Sequence, residues 1–104
     1  MSESKLTYIS KSLKPLVALR KLEREDNEEG YSEGDIRKTL RKLGENPSPF
    51  EVSKNMEYWK GHGIVSMDVE DRKALYKLSS RIRSNLDKIL EERGLLESED
   101  KVNI

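Results

Sequence analysis

Apolar positions in the first third of the chain recur at helical intervals. Leu6, Ile9, Leu13, Leu16, Val17, Leu19 and Leu22 are separated, from Ile9 onward, by steps of three and four that place them on one face of a helix. Pro15 interrupts the run, and proline is tolerated best in a first helical turn. The pattern therefore predicts a helix from Ser12 or Leu13 to about Arg24. Residues 1–11 precede it as an arm, either an extra turn or mobile. The run Glu25-Asp26-Asn27-Glu28-Glu29-Gly30 is too polar and acidic to bury and is expected to be a solvated loop.

A second stripe, Ile36, Leu40 and Leu43, predicts a helix over Ser32–Leu43 with Ser32 as N-cap, Glu33 and Asp35 in the first turn and Gly44 as terminator. Ser48-Pro49 is an N-cap followed by proline at the first helical position. It opens a third helix to about Lys60, with Val52, Met56 and Trp59 inward and Gly61 and Gly63 as the stop. The period then changes. Ile64–Met67 and Ala74–Leu78 are short β-prone runs around the charged tip Asp68–Lys73, a β-hairpin that lacks an Asn-Gly turn. Ser79 or Ser80 caps a last helix to about Arg93, with Ile82, Leu86, Ile89 and Leu90 as its stripe. Residues 95–104 are expected to be a frayed, flexible tail.

Composition narrows the chemistry. No apolar run in the 104 residues approaches the length that spans a bilayer, so no membrane is expected as a partner. The 20 basic and 20 acidic side chains cancel, so total charge gives no argument for nucleic acid. Cysteine is absent, which removes disulfides, zinc-thiolate sites and thiol nucleophiles. With one histidine and no glycine-rich phosphate loop, neither catalysis nor a cofactor is expected. The opening MSESKLTYIS lacks the basic and apolar regions of a secretory signal, which predicts an intracellular, cytoplasmic protein.

Three helices, a hairpin and a further helix, with Ser48–Val65 forming a helix, a glycine stop and a strand, resemble the winged helix-turn-helix DNA-binding family. The likeness is to its small MarR-like and PadR-like regulators. It runs over Ser32–Leu78, and Tyr76-Lys77-Leu78-Ser79 is similar to the return strand entering the C-terminal helix. The implied fold class is mainly α with a small β-hairpin: an arm (1–11), a winged helix domain (12–78), a C-terminal helix (79–94) and a tail (95–104). The resemblance implies that the chain binds double-stranded DNA and regulates transcription. The third helix would enter the major groove, the second would cross the phosphate backbone, and the wing would touch the flank. The residues carried over are Arg37, Lys38 and Arg41 on the second helix, Ser48, Phe50, Ser53, Lys54 and Tyr58 on the third, and Arg72 and Lys73 on the wing. It further implies a homodimer through the C-terminal helix, around whose stripe lie Arg81, Arg83, Asp87, Lys88, Glu91 and Glu92, reading half-sites about one DNA turn apart.

Other readings of the same residues stand beside this one. The basic residues of the second helix also suit a solvated face, Phe50 also suits an inward anchor, and the C-terminal stripe also suits packing on its own domain. Glu51, Glu57, Asp68, Glu70 and Asp71 put negative charge on the presumed docking face, which opposes phosphate. A winged helix without a basic surface suits a protein-binding adaptor, so a protein partner is the alternative. A second resemblance, of Asp35–Val52 to the linker between paired EF-hands, would require calcium loops at 25–35 and 60–69. Glu25, Asn27 and Glu29 fit as ligands about Gly30, but the terminal ligand position falls on Ile36. The second loop offers Lys60, His62 and Ile64, none of them an oxygen ligand for calcium.

Overall fold

A computed structural model describes residues 4–96. The elements are α1 (Lys14–Asp26), α2 (Glu33–Lys42), α3 (Pro49–Gly61), β1 (Val65–Glu70), β2 (Lys73–Leu78) and α4 (Ser80–Glu92). The layout is four helices and one two-stranded antiparallel hairpin.

Local chemistry fixes most of the helix starts. Pro15 lies in the first turn of α1, where its missing N–H loses no helical bond. Ser32 closes a capping box at the head of α2: its hydroxyl accepts from the Asp35 amide at 3.2 Å, and the Asp35 carboxylate accepts from the Ser32 amide at 3.2 Å. Ser48 accepts from the Glu51 amide at 3.2 Å and is followed by Pro49, which starts α3. α1 runs two residues past its expected end at Arg24, because Asn27 rather than the acidic run as a whole takes the left-handed conformation that stops a helix, at φ 58°. Gly61 remains helical and His62 is the C-cap. Gly63 reverses the chain at φ 71°, where a side chain would be strained.

The hairpin is longer and its turn tighter than the sequence suggests. β1 and β2 pair from Val65↔Leu78 to Glu70↔Lys73, so four of the six tip residues lie in strands. An opposite-charge pair, Glu70 and Lys73, ends the ladder. Only Asp71 and Arg72 turn, with φ of 51° and 67°. Two consecutive left-handed residues are the type I′ pattern that matches strand twist. On its other edge β2 meets Tyr31, whose amide and carbonyl both bond to Tyr76, at 3.0 and 2.7 Å. Gly30 permits this approach: a Cβ there would lie 2.9 Å from the Leu75 Cβ.

One core joins all the elements. It contains Leu16, Val17 and Leu19 of α1, Ile36 and Leu40 of α2, Val52 and Met56 of α3, Val65, Tyr76 and Leu78 of the hairpin, and Leu86 and Leu90 of α4. Residues of the arm and of the expected tail contribute as well. Leu6 is fully buried, and the neighbouring Lys5 amide donates to the Leu43 carbonyl at 2.8 Å, docking the arm over the end of α2. Leu95 and Leu96 are buried as well. The buried Lys21 holds them, donating to the Leu95 carbonyl at 2.8 Å and pairing with Glu25 at 2.7 Å. The frayed tail expected from Leu95 onward therefore does not include these two leucines, and its remainder, 97–104, lies outside the described residues.

Candidate functional site

α3 is held to the molecule along one side. Val52 and Met56 are buried, and Trp59 packs partly buried against the core while its indole N–H donates to the Ser12 carbonyl at 2.7 Å. At 3.6 residues per turn, the opposite side carries Phe50, Lys54 and Glu57, with Ser53 on one flank and Glu51 and Tyr58 on the other. The burial follows that geometry. Phe50 is 72% exposed, Tyr58 is 53% exposed, Lys54, Glu51 and Glu57 are exposed, and Ser53 is half-buried. Phe50 is thus not the inward anchor that its apolarity suggested. It stands in solvent with the Lys54 ammonium 5.9 Å from its ring centre, a cation facing an aromatic ring. Glu57 pairs loosely with Lys60 at 3.5 Å. Tyr58 packs edge-on to Trp59 with ring centres 5.0 Å apart and lies 4.5 Å from the exposed His62 ring, which stiffens the C-terminal end of the exposed face.

The basic residues of α2 spread across its outer side. Lys38 and Lys42 line a groove of about 630 Å³ with Lys21, Glu25 and Asp26 of α1, Lys5 of the arm and Leu95. Arg41, exposed like Lys38, lies between Lys38 and Arg37 around the helix, about 60° from the first and about 40° from the second. Arg37 and Arg41 follow Glu33 at intervals of four along one side of α2. Glu33 accepts from the Tyr76 hydroxyl at 3.2 Å. Burial, joined by the nearby Glu33 and Glu57 carboxylates, pushes the Tyr76 phenol up to about 12, so it stays a neutral donor. Through Tyr76 this flank of α2 adjoins both β2 and the Glu57 side of α3. Arg37 is half-buried and its Nε has no acceptor among the described residues, while Arg41 is exposed. Ser48 is exposed, but its hydroxyl is engaged as the α3 cap. Arg72 and Lys73 are exposed at and beside the hairpin turn, with Val69 and acidic Asp68, Glu70 and Asp71 close by in the chain.

α4 turns inward. Leu86 and Leu90 are buried, Ile82 and Ile89 pack partly buried against the same core, and none of the described large apolar residues left exposed belongs to this helix. Two of the charged residues around its stripe face α1. Asp87 receives Arg20 at 2.7 and 3.0 Å and Arg24 at 3.1 Å, while Arg83 donates to Glu23 at 3.0 Å. The Arg20 hydrogen bonds hold the Asp87 carboxyl below the usual aspartate value. Glu23 also accepts from Arg20 at 3.0 Å and from the Leu78 amide at 3.0 Å, joining α1, β2 and α4. Nothing in the sequence singles out Glu23, because two of its partners, Leu78 and Arg83, are 55 and 60 residues away. Tyr31 had a weak signal, a lone large aromatic closing a polar loop.

The segment 60–69 that a second calcium loop would need is the end of α3, its glycine stop and most of β1. No helix among the described residues is long and apolar enough to cross a membrane. No family model, curated protein or solved structure matches the chain.

Proposed function

We propose that this chain is a winged helix-turn-helix protein that binds double-stranded DNA and regulates transcription, with α3 in the major groove and the β1–β2 hairpin as the wing. One observation carries the reading: α3 is anchored by Val52, Met56 and Trp59 and presents Phe50, Lys54, Glu57 and Tyr58 to solvent. An α-helix has the diameter the major groove admits, and its outward side chains are then the ones that meet base edges. Arg37 and Arg41 flank α3 from α2, and Arg72 and Lys73 cap the hairpin, where they suit phosphates rather than bases. The bridge from Tyr31 to Tyr76 ties the segment ahead of α2 to β2, which fixes the hairpin relative to the helices.

The test is fluorescence anisotropy of a labelled random duplex over a range of salt concentrations. Four phosphate contacts, from Arg37, Arg41, Arg72 and Lys73, give a slope of log affinity against log salt of about −3 to −4. Absence of binding at low salt overturns the proposal. The second reading, a protein-binding adaptor, is favoured by the exposed carboxylates of Glu51, Glu57, Asp68, Glu70 and Asp71 beside exposed Phe50, Tyr58 and Val69. It takes over if the duplex is ignored.

A further inference from the structure

The middle of the outer face of α3 holds an acid and a large apolar ring, and neither suits phosphate. Phe50 is 72% exposed and Glu57 is exposed, and on the helix they lie on nearly the same line, with Lys54 between them along the axis. A carboxylate at that place repels the backbone of any duplex brought against the helix. It is accommodated where a base edge offers a donor, and in the major groove the cytosine N4 amino group does so directly. An exposed phenylalanine has a matching apolar target in the same groove, the thymine C5 methyl.

We infer that α3 reads a thymine methyl with Phe50 and a cytosine amino group with Glu57, so that the preferred site carries both bases within about three base pairs. This rests on the proposed duplex binding and names the bases that Phe50 and Glu57 select. The spacing follows from the helix. Seven residue steps of 1.5 Å separate Phe50 from Glu57 by about 10 Å along the axis, against about 3.4 Å per base pair. Lys54, between them, suits guanine O6 and N7 or a phosphate. Glu57 therefore acts in two directions. It lowers affinity for every sequence through repulsion and restores it at sites that place a cytosine amino group opposite its carboxylate.

The experiment selects binders from a random duplex pool with the full chain and measures their affinities by anisotropy. Enriched sites are expected to hold thymine and cytosine at the stated spacing. Replacing that thymine by deoxyuridine removes only the methyl and is expected to weaken binding about fourfold, the value of one methyl moved out of water. Phe50→Ala is expected to abolish that difference. Glu57→Ala is expected to tighten binding to random duplex while discrimination at the cytosine falls about tenfold. Both side chains are exposed, and circular dichroism of each variant verifies the fold. Salt-dependent binding with no thymine–cytosine signature, or insensitivity to deoxyuridine, overturns the inference and leaves duplex binding standing. Glu57→Ala raising affinity for all sequences equally shows a carboxylate that only repels, and overturns the role assigned to it. Failure to bind any duplex removes the functional proposal itself.

Discussion

Arg72→Gly separates the hairpin's backbone chemistry from its proposed surface chemistry. Arg72 holds φ 67° as the second residue of a two-residue turn, after Asp71 at φ 51°. A left-handed backbone costs a residue with a Cβ about 1–2 kcal/mol, and aspartate tolerates it better than arginine because its short side chain bonds locally. Glycine removes that strain but adds freedom to the unfolded chain worth about 0.5–1 kcal/mol. The net expectation is a gain of about 0.5–1 kcal/mol, which in a domain of this size raises Tm by about 2–8 °C. Thermal denaturation followed by circular dichroism reads it. The same variant loses one proposed phosphate contact, so the salt slope of duplex binding becomes shallower by about one. An unchanged or lowered Tm would show that the turn does not strain Arg72. An unchanged slope would remove Arg72 from the DNA contacts.

Lys54→Ala and Arg41→Ala are both expected to weaken duplex binding in anisotropy titrations, but only Lys54→Ala should change which sequences are preferred. If neither moves affinity, the docking face is misplaced. Stability is expected to fall on acidification. Hydrogen bonds from Arg20 lower the folded-state value of Asp87 below its usual 3.8, so its contribution is complete above that value and is lost as pH drops through the lower folded one. At Glu45, burial acts upward but bonds from Ser4 and Lys14 outweigh it, and it contributes with the same sign. Urea unfolding midpoints for wild type and Asp87→Asn should differ at neutral pH and draw together as pH falls from the usual aspartate value through the lowered one; a difference that does not shrink on acidification would refute the linkage. Light scattering decides between the two readings of the α4 stripe, whose Leu86 and Leu90 are buried and Ile82 and Ile89 partly buried: 12.1 kDa is expected if it packs only on its own domain, and twice that mass would favour the homodimer.

Features governed by neighbours in the chain were legible before any coordinates. Ser32 with Asp35, and Ser48 before Pro49, announced two helix starts because a cap is decided within four residues. The stripe of Val52, Met56 and Trp59 likewise fixed which side of α3 faces outward. That spacing also placed Phe50 on the outer side, although its apolarity argued for burial. The hairpin tip was misjudged because Asp71-Arg72 achieves with strain what Asn-Gly achieves without it. Burial of Leu6, Leu95 and Leu96 was not legible, since it depends on contacts with distant parts of the chain, such as the Lys5 amide with Leu43 and Lys21 with the Leu95 carbonyl. That Lys38 and Lys42 border a groove against α1 required knowing which side of α2 meets α1. Glu23 and Asp87 read as ordinary surface acids, and only the packing of α1 on α4 makes them ion-pair partners.

The central claim is that the free side of α3 is the docking surface. Amide NMR shifts recorded while a low-salt duplex is titrated into the labelled chain test it directly. The account predicts that Phe50, Ser53, Lys54, Glu57, Tyr58 and the turn residues Asp71 and Arg72 move together, while Lys21 and Thr39 in the groove and Lys88 on α4 stay in place. Shifts concentrated on the groove or on α4, with α3 unmoved, would contradict it.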